Sequence, residues 1–311
     1  MVLSFDLPIL WDQLTYDGLM KLQSSDHRPQ SSAYPLVAHI QGQGYPILCL
    51  HGHPGSAQCM SVFTNHFSGL SRNRFQTIAP DLRGYGKSQT RTAFEMEDHL
   101  NDLEALVDRL QLDRFLILGW SLGGILGIEL ALKMPERVSG LVLLATAARP
   151  RGSHPPVRWQ DNLYTGLASI LNLAKPAWQW NIDTFGKRSL YRYLVQQHTA
   201  NVYQHLAREG VSAYLQTTRQ AHRALWNAQV QRVRYDRLPD LAQIQCPALM
   251  LAGEYDRHIT PQSSQETASY LSNCEMRCYK NTAHLFPWEI SEEMLTDIDR
   301  WLENTWSEQP S

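Results

Sequence analysis

FLILGWSLGGILGIELALKM, residues 115–134, decides how the rest of the chain is read. Its first part, FLILGWS (115–121), is a short apolar run of strand character. The remainder, LGGILGIELALKM (122–134), is rich in helix formers and stops at Pro135, which cannot continue a helix. A strand that turns directly into a helix leaves one residue in a strained backbone conformation. Gly119-Trp120-Ser121-Leu122-Gly123 puts a serine at that point and removes bulk two positions to either side, the pattern G-x-S-x-G. Gly124 adds further room. The following helix points its first N–H groups at the serine, which favours an anion formed beside it. The same glycines would also let a helix pack close to a sheet, as in nucleotide-binding turns. A dinucleotide turn needs G-x-G-x-x-G near the first strand and a P-loop needs Lys before Ser/Thr, and neither is present.

Upstream, an alternating stretch from Ala33 to Ile40, the run YPILCL (45–50) after a Gly42/Gly44 turn, and TIAP (77–80) read as strands. In EMEDHLNDLEALVDRLQL (95–112), Leu100, Leu103, Leu106, Val107 and Leu110 recur at helical spacing, with acids in the first turn. Downstream, VSGLVLLAT (138–146) is a strand. Strands alternating with helices predict an α/β fold with a mostly parallel sheet covered on both faces. From Arg149 to Tyr235 that rhythm stops. No V/I/L-rich strand run appears there, and Trp159, Trp178, Trp180 and Trp226 stand among Tyr164, Tyr191, Tyr193, Tyr203 and Tyr214, which predicts an inserted helical subdomain. The βα pattern returns with CPALMLAGEYD (246–256), the helical TPQSSQETASYLS (260–272), the strand MRCYK (276–280) and a final helix through Ile298 and Leu302. The expected organisation is an N-terminal extension over 1–34, a core formed by 35–148 with 236–307, and a helical cap over 149–235. No internal repeat or low-complexity tract interrupts it.

A chain of 311 residues with 43% hydrophobic content can bury one large core or two modest ones. Lys plus Arg (28) nearly balance Asp plus Glu (30), so a nucleic-acid partner is not expected. The start, MVLSFDLPILWDQL, lacks a charged region ahead of an apolar run, and nowhere do about 18 apolar residues run together. The expectation is a cytoplasmic protein with no membrane partner, a small-molecule substrate, and no sequence signal for oligomeric state. Cys49, Cys59, Cys246, Cys274 and Cys278 are odd in number and fit a reduced state. Cys274 and Cys278 lack C-x-x-C spacing and a second pair, and H-x-H at His51 and His53 has no further ligand in spacing, so no metal is expected.

A serine hydroxyl is a poor nucleophile at neutral pH and needs an imidazole to take its proton. Of the twelve histidines, His284 lies in NTAHLFPWE, directly after the strand MRCYK and therefore at the carboxyl edge of the sheet, where Ser121 also lies. The imidazole in turn needs a carboxylate from another strand end. Asp256 follows PALMLAG and gives the chain order Ser, Asp, His, with Glu254 as the rival closer to the strand. An alternative role for Asp256 is a turn or helix N-cap carboxylate. The oxyanion of an acyl-transfer reaction needs aimed donors. The backbone N–H groups of Leu122 and of His53, in HGHPG after YPILCL, are the candidates.

HGHPG (51–55), PDLRGYGKS (80–88), GWSLGG (119–124), GEYD (253–256) and NTAH (281–284), in this order, resemble the α/β-hydrolase fold superfamily over about residues 35–305. The resemblance implies a mainly parallel eight-stranded sheet with a helical cap after the sixth strand. It also implies the roles above for Ser121, Asp256, His284, His53 and Leu122; no cofactor is expected. H-G-x-P with D-L-R-G-Y-G-x-S is similar to epoxide hydrolases and haloalkane dehalogenases, which carry aspartate where this chain has Ser121, so an alkyl-enzyme route is disfavoured. GWSLGG is similar to carboxylesterases, and the layout to carbon–carbon bond hydrolases, enol-lactonases and proline iminopeptidases. N-T-A-H departs from relatives with glycine before the histidine, and the N-terminal lead-in has no counterpart in the pattern. The expected function is hydrolysis of a small ester or related acyl substrate through an acyl-enzyme. A carbon–carbon bond hydrolase, lactonase or iminopeptidase, a lyase or perhydrolase on the same residues, and a slow-turnover ligand-binding protein stay open.

Overall fold

A computed structural model describes residues 33–69, 74–230 and 235–306. The expected extension over 1–34 lies outside the described residues except for Ala33 and Tyr34. Seven strands form one sheet: β1 (Ala38–Gly42), β2 (Tyr45–Leu50), β3 (Phe75–Pro80), β4 (Phe115–Trp120), β5 (Val138–Leu144), β6 (Ala248–Gly253) and β7 (Cys274–Tyr279). Their spatial order is β1-β3-β2-β4-β5-β6-β7. Only β1 runs antiparallel to its neighbour, and every other pair is parallel.

The apolar runs are continuous rather than alternating because both faces of the sheet are covered. Within each strand the residues divide by parity between two layers. Ile47, Cys49, Leu116, Leu118, Val142, Leu144, Leu249 and Leu251 enter one core cluster. Leu48, Leu50, Phe115, Ile117, Leu141, Leu143, Ala248 and Met250 enter the other. Helices α1 (Ser61–Phe67), α2 (Asp98–Arg109) and α3 (Leu122–Lys133) follow the early strands. Phe63 and Phe67 of α1 pack into the first layer, and Leu103, Leu106 and Val107 of α2 pack into the second with Leu126 and Leu130 of α3. Between β5 and β6 stand α4 (Trp159–Ala174), α5 (Gln179–Thr184), α6 (Tyr191–Leu194), α7 (Ala200–His205), a π-helical turn (Leu206–Gly210), α8 (Val211–Gln216) and α9 (Arg219–Val230). The chain closes with α10 (Pro261–Tyr270), α11 (Phe286–Glu289) and α12 (Ser291–Trp306), whose Ile298 and Leu302 return to the first layer.

Three expectations are corrected. The sheet has seven strands among the described residues, where the resemblance implied eight. The helical segment consequently follows the fifth of them rather than the sixth. The strand predicted from Ala33 begins only at Ala38, because pairing with β3 runs from Ala38↔Pro80 to Gly42↔Gln76 and goes no further upstream than a bond from the Asp81 N–H to the Val37 carbonyl. Tyr34 instead donates its backbone N–H to Asp102 Oδ1 at 2.6 Å and its hydroxyl to the Gln89 carbonyl at 2.8 Å. All five cysteines are free thiols, with Cys274 and Cys278 on β7. Among the described residues no helix is long and apolar enough to cross a membrane.

The chain leaves β2 toward β3 on one side and resumes with β4 on the other, so the strand order reverses between β2 and β4. In open α/β sheets the crevice beyond the carboxyl ends of the strands at such a reversal is where ligands sit. The turn holding His53 leaves β2 there, and Ser121 leaves β4 beside it.

Candidate active site

Ser121 sits between β4 and α3 at φ 54°, ψ −115°, a conformation that costs a non-glycine residue about 1–3 kcal/mol. Its own peptide groups hold it there. The Ser121 N–H donates to the Leu144 carbonyl at 2.8 Å, and its carbonyl accepts from the Gly124 N–H at 3.0 Å and the Thr146 hydroxyl at 2.8 Å. The flanking glycines are needed for close approach. A Cβ on Gly119 would lie 2.5 Å from the Gly123 carbonyl oxygen, and one on Gly123 would overlap the Leu50 carbonyl oxygen of the neighbouring strand. Leu122 opens α3, where the first backbone N–H groups have no partner within the helix.

His284 lies in the loop between β7 and α11, and only 4% of its surface is exposed. Its Nδ1 is 2.7 Å from Asp256 Oδ2 and its Nε2 is 3.2 Å from Ser121 Oγ. A carboxylate only accepts, so Nδ1 carries the proton and donates to Asp256, which leaves Nε2 to accept from the serine hydroxyl. Asp256 is 2% exposed. Its second oxygen, Oδ1, accepts from the backbone N–H groups of His258 (2.8 Å) and Ile259 (3.0 Å). The turn-carboxylate role and the imidazole contact thus use different oxygens of one side chain. Glu254 is exposed and its Oε2 accepts from the Asn281 N–H at 3.0 Å, away from the imidazole.

The HGHPG turn presses on the serine: a Cβ at Gly52 would stand 3.1 Å from Ser121 Cβ. His53 Nδ1 is 2.8 Å from the Tyr85 hydroxyl, and its ring meets His222 of α9 edge-on at 4.9 Å. Burial first, then the neighbouring imidazole of His222, pushes the His53 ring well below the ordinary histidine value. His258 lies 4.8 Å from the His284 ring, and burial lowers it to about 3. Both shifts favour the neutral ring. His51 is a framework group: its Nε2 accepts from the Leu82 N–H at 3.1 Å, so its Nδ1 donates to the Gly52 carbonyl at 2.8 Å. Both ring nitrogens of His51 are used, which removes it from metal ligation. Among the described residues no group of three His, Cys, Asp or Glu side chains is arranged to hold a metal ion.

Residues not singled out from the sequence complete the surroundings. Asp81 accepts from the Ala57 N–H (2.7 Å) and the Lys87 N–H (2.9 Å), tying the HGHPG turn to the DLRGYGKS turn. Trp120 Nε1 donates to the His284 carbonyl at 3.4 Å. Glu289 fastens the histidine loop to the helical segment. Its Oε1 accepts from the Ala283 N–H at 2.9 Å, and its Oε2 from the N–H groups of Gln196 (3.0 Å) and Gln197 (2.5 Å). The Leu285 N–H adds a bond to the Leu194 carbonyl at 2.8 Å. Burial raises the Glu289 carboxyl, while those N–H donors act in the opposite sense. An acid five residues after a loop histidine was the one available sequence signal for it.

Comparison with known proteins follows the same lines. The family model described as alpha/beta hydrolase fold matches residues 45–289. The chain is 34% identical over 105 residues to haloalkane dehalogenase 2 of Mycobacterium tuberculosis, a match covering 33% of this chain and about a third (35%) of that relative's length. It is 26% identical over 259 residues to a 2-hydroxy-6-oxononadienedioate/2-hydroxy-6-oxononatrienedioate hydrolase of Paraburkholderia xenovorans, covering 81% of this chain and 85% of that protein. In fold it is similar to a thermophilic esterase from Thermogutta terrifontis solved with malate bound, at a TM-score of 0.64 and 24% identity, over 87% of this chain and 93% of that one.

Proposed function

Because the chain belongs to the α/β-hydrolase fold family and is an enzyme of the hydrolase class, we propose that Ser121, His284 and Asp256 are its catalytic triad and that a small ester is its substrate. The observation that carries this reading is one imidazole bridging Asp256 Oδ2 and Ser121 Oγ, at 2.7 and 3.2 Å, at the reversal of strand order. Ser121 Oγ attacks the ester carbonyl as Nε2 of His284 takes its proton. Asp256 holds the imidazole in the Nδ1–H tautomer and stabilises the imidazolium that forms. The backbone N–H groups of Leu122 and His53 receive the oxyanion. His284 then returns the proton to the leaving alcohol and draws one from water, which releases the acid and restores Ser121. On the same reading residues 149–235 act as a cap over a core built from 35–148 and 236–307.

An alkyl-enzyme route, which needs a carboxylate nucleophile, is not open to Ser121. A second reading is favoured by the likeness, over 81% of this chain, to the Paraburkholderia hydrolase: carbon–carbon bond hydrolysis by the same residues. A panel of p-nitrophenyl esters with the wild-type protein and Ser121→Ala tests the first reading. The variant is expected to fold normally and to lose on the order of 10⁶ in kcat. Ester turnover in Ser121→Ala close to wild type would falsify the assignment. Tight ligand binding by the wild type with negligible turnover of every ester would instead point to a binding protein.

A further inference from the structure

The near-neutral net charge hides a strong partition. Residues 149–235 carry twelve Lys and Arg against three Asp and Glu, whereas the rest of the chain carries sixteen against twenty-seven. In sequence the segment therefore sums to +9 and the remainder to −11. The basic region also holds nine of the thirteen large apolar side chains that are exposed among the described residues.

Five of those nine lie on one face of α4. Trp159 (71% exposed), Leu163, Leu167, Ile170 (66% exposed) and Leu173 follow one another at steps of three and four residues. The opposite face is anchored: Ala168 is buried and the Asn172 side chain donates to the Tyr203 carbonyl at 2.7 Å. The only charged residue in α4, Asp161, is buried and paired with Arg192 at 2.9 Å. The outward face is thus a strip without charge, about 21 Å long at 1.5 Å per residue. Trp180, in α5, is 51% exposed as well. Arg158 and Lys175 bracket the helix at its two ends, and with Arg188 and Arg208 they are exposed and have no acidic partner among the described residues.

We propose that this face docks on an anionic lipid surface, with α4 lying flat, its apolar strip among the acyl chains and the flanking cations on the headgroups. An interfacial helix combines an apolar face carrying Trp and Leu with Lys and Arg around it, and anionic lipid adds an attraction for each cation. A 16-residue helix is too short to span a hydrocarbon core, which needs about 20 residues, so this is attachment and not insertion across the membrane. The expectation of no membrane partner rested on spanning segments and did not address a surface. A second copy is a poorer occupant. A two-fold contact would set the same patch against itself and bring two sets of uncompensated cations together.

Flotation with phosphatidylcholine vesicles, with and without phosphatidylglycerol, tests the docking. The full chain should float only with the anionic vesicles and be released by high salt. Leu163→Glu with Ile170→Glu, and separately Arg158→Glu with Lys175→Glu, should each lower partitioning at least about tenfold, since each cation near an anionic surface is worth about fivefold. Both pairs are exposed, so an unchanged thermal melt certifies folding. Ser121→Ala should float as wild type does, which separates this proposal from the hydrolase reading. Failure to float with anionic vesicles overturns it, as does wild-type flotation by either paired variant. A dimer dissociated by Ile170→Glu, without vesicle binding, would assign the strip to a second copy. Retention on RNA that needs Arg158 and Lys175 but not Leu163 and Ile170 would assign the cations to nucleic acid.

Discussion

The turn that carries Ser121 and the helical segment between β5 and β6 are built on opposite principles. Around Ser121 backbone meets backbone, glycines stand where any Cβ would collide, and both peptide groups of the serine are hydrogen-bonded. On the outer face of α4 large apolar side chains stand in solvent, and a Cβ added at Gly166 would meet nothing within 4 Å. One region tolerates no change of shape and the other has room to spare. Precision in this molecule is therefore concentrated at one end of the sheet, which is where a reaction would need it.

The comparison breaks most sharply at the carboxylates. Asp256→Asn should lower kcat by about 10⁴ by spoiling the imidazole tautomer, whereas Glu254→Gln should leave ester turnover within about twofold. Equal losses in steady-state assays would leave the acid unassigned. Next in size, Gly123→Ala forces a methyl onto the Leu50 carbonyl oxygen, and backbone cannot swing aside. Urea denaturation should show a loss of about 3 kcal/mol, and an unchanged midpoint would refute the close-approach account.

A smaller effect belongs to His99 in α2. It is buried beside Tyr85 and Phe94, neither ring nitrogen has a hydrogen-bond partner among the described residues, and burial lowers its ring to about 3. Between the ordinary histidine value of about 6.5 and that folded value, the unfolded chain binds a proton and the fold does not. Stability therefore falls as the pH falls through this window. His99→Phe should remove that slope, a relative gain of about 2 kcal/mol at pH 5 against pH 7.5. Parallel melting curves for variant and wild type across that range would count against it. The smallest change is Gly166→Ala in the exposed face of α4, expected to stabilise by about 0.5–1 kcal/mol through helix propensity alone. A loss of stability there would show that the face is more tightly constrained than its exposure implies.

What the sequence revealed follows the same division. The strands of the sheet centre were legible because each is buried on both faces and reads as an unbroken apolar run, and the serine turn because its glycines leave a spacing that few other structures need. Asp256 and Glu254 could be ranked but not separated from spacing alone. They differ in side-chain direction, with Glu254 turned to Asn281 and Asp256 to the imidazole. The start of β1 was misread because an edge strand is defined by its partner, and Pro80 lies 42 residues from Ala38. Glu289 and Asp81 went unnoticed for a related reason: both act on backbone N–H groups, whose positions leave no trace in residue identity. The charge partition was present in the sequence throughout, concealed by a total near zero.

The Glu289 carboxylate grips both the loop of His284 and the chain at Gln196 and Gln197. A single carboxylate therefore ties the backbone before His284 to the chain at Gln196 and Gln197, so a shift of either stretch of chain is felt by the other.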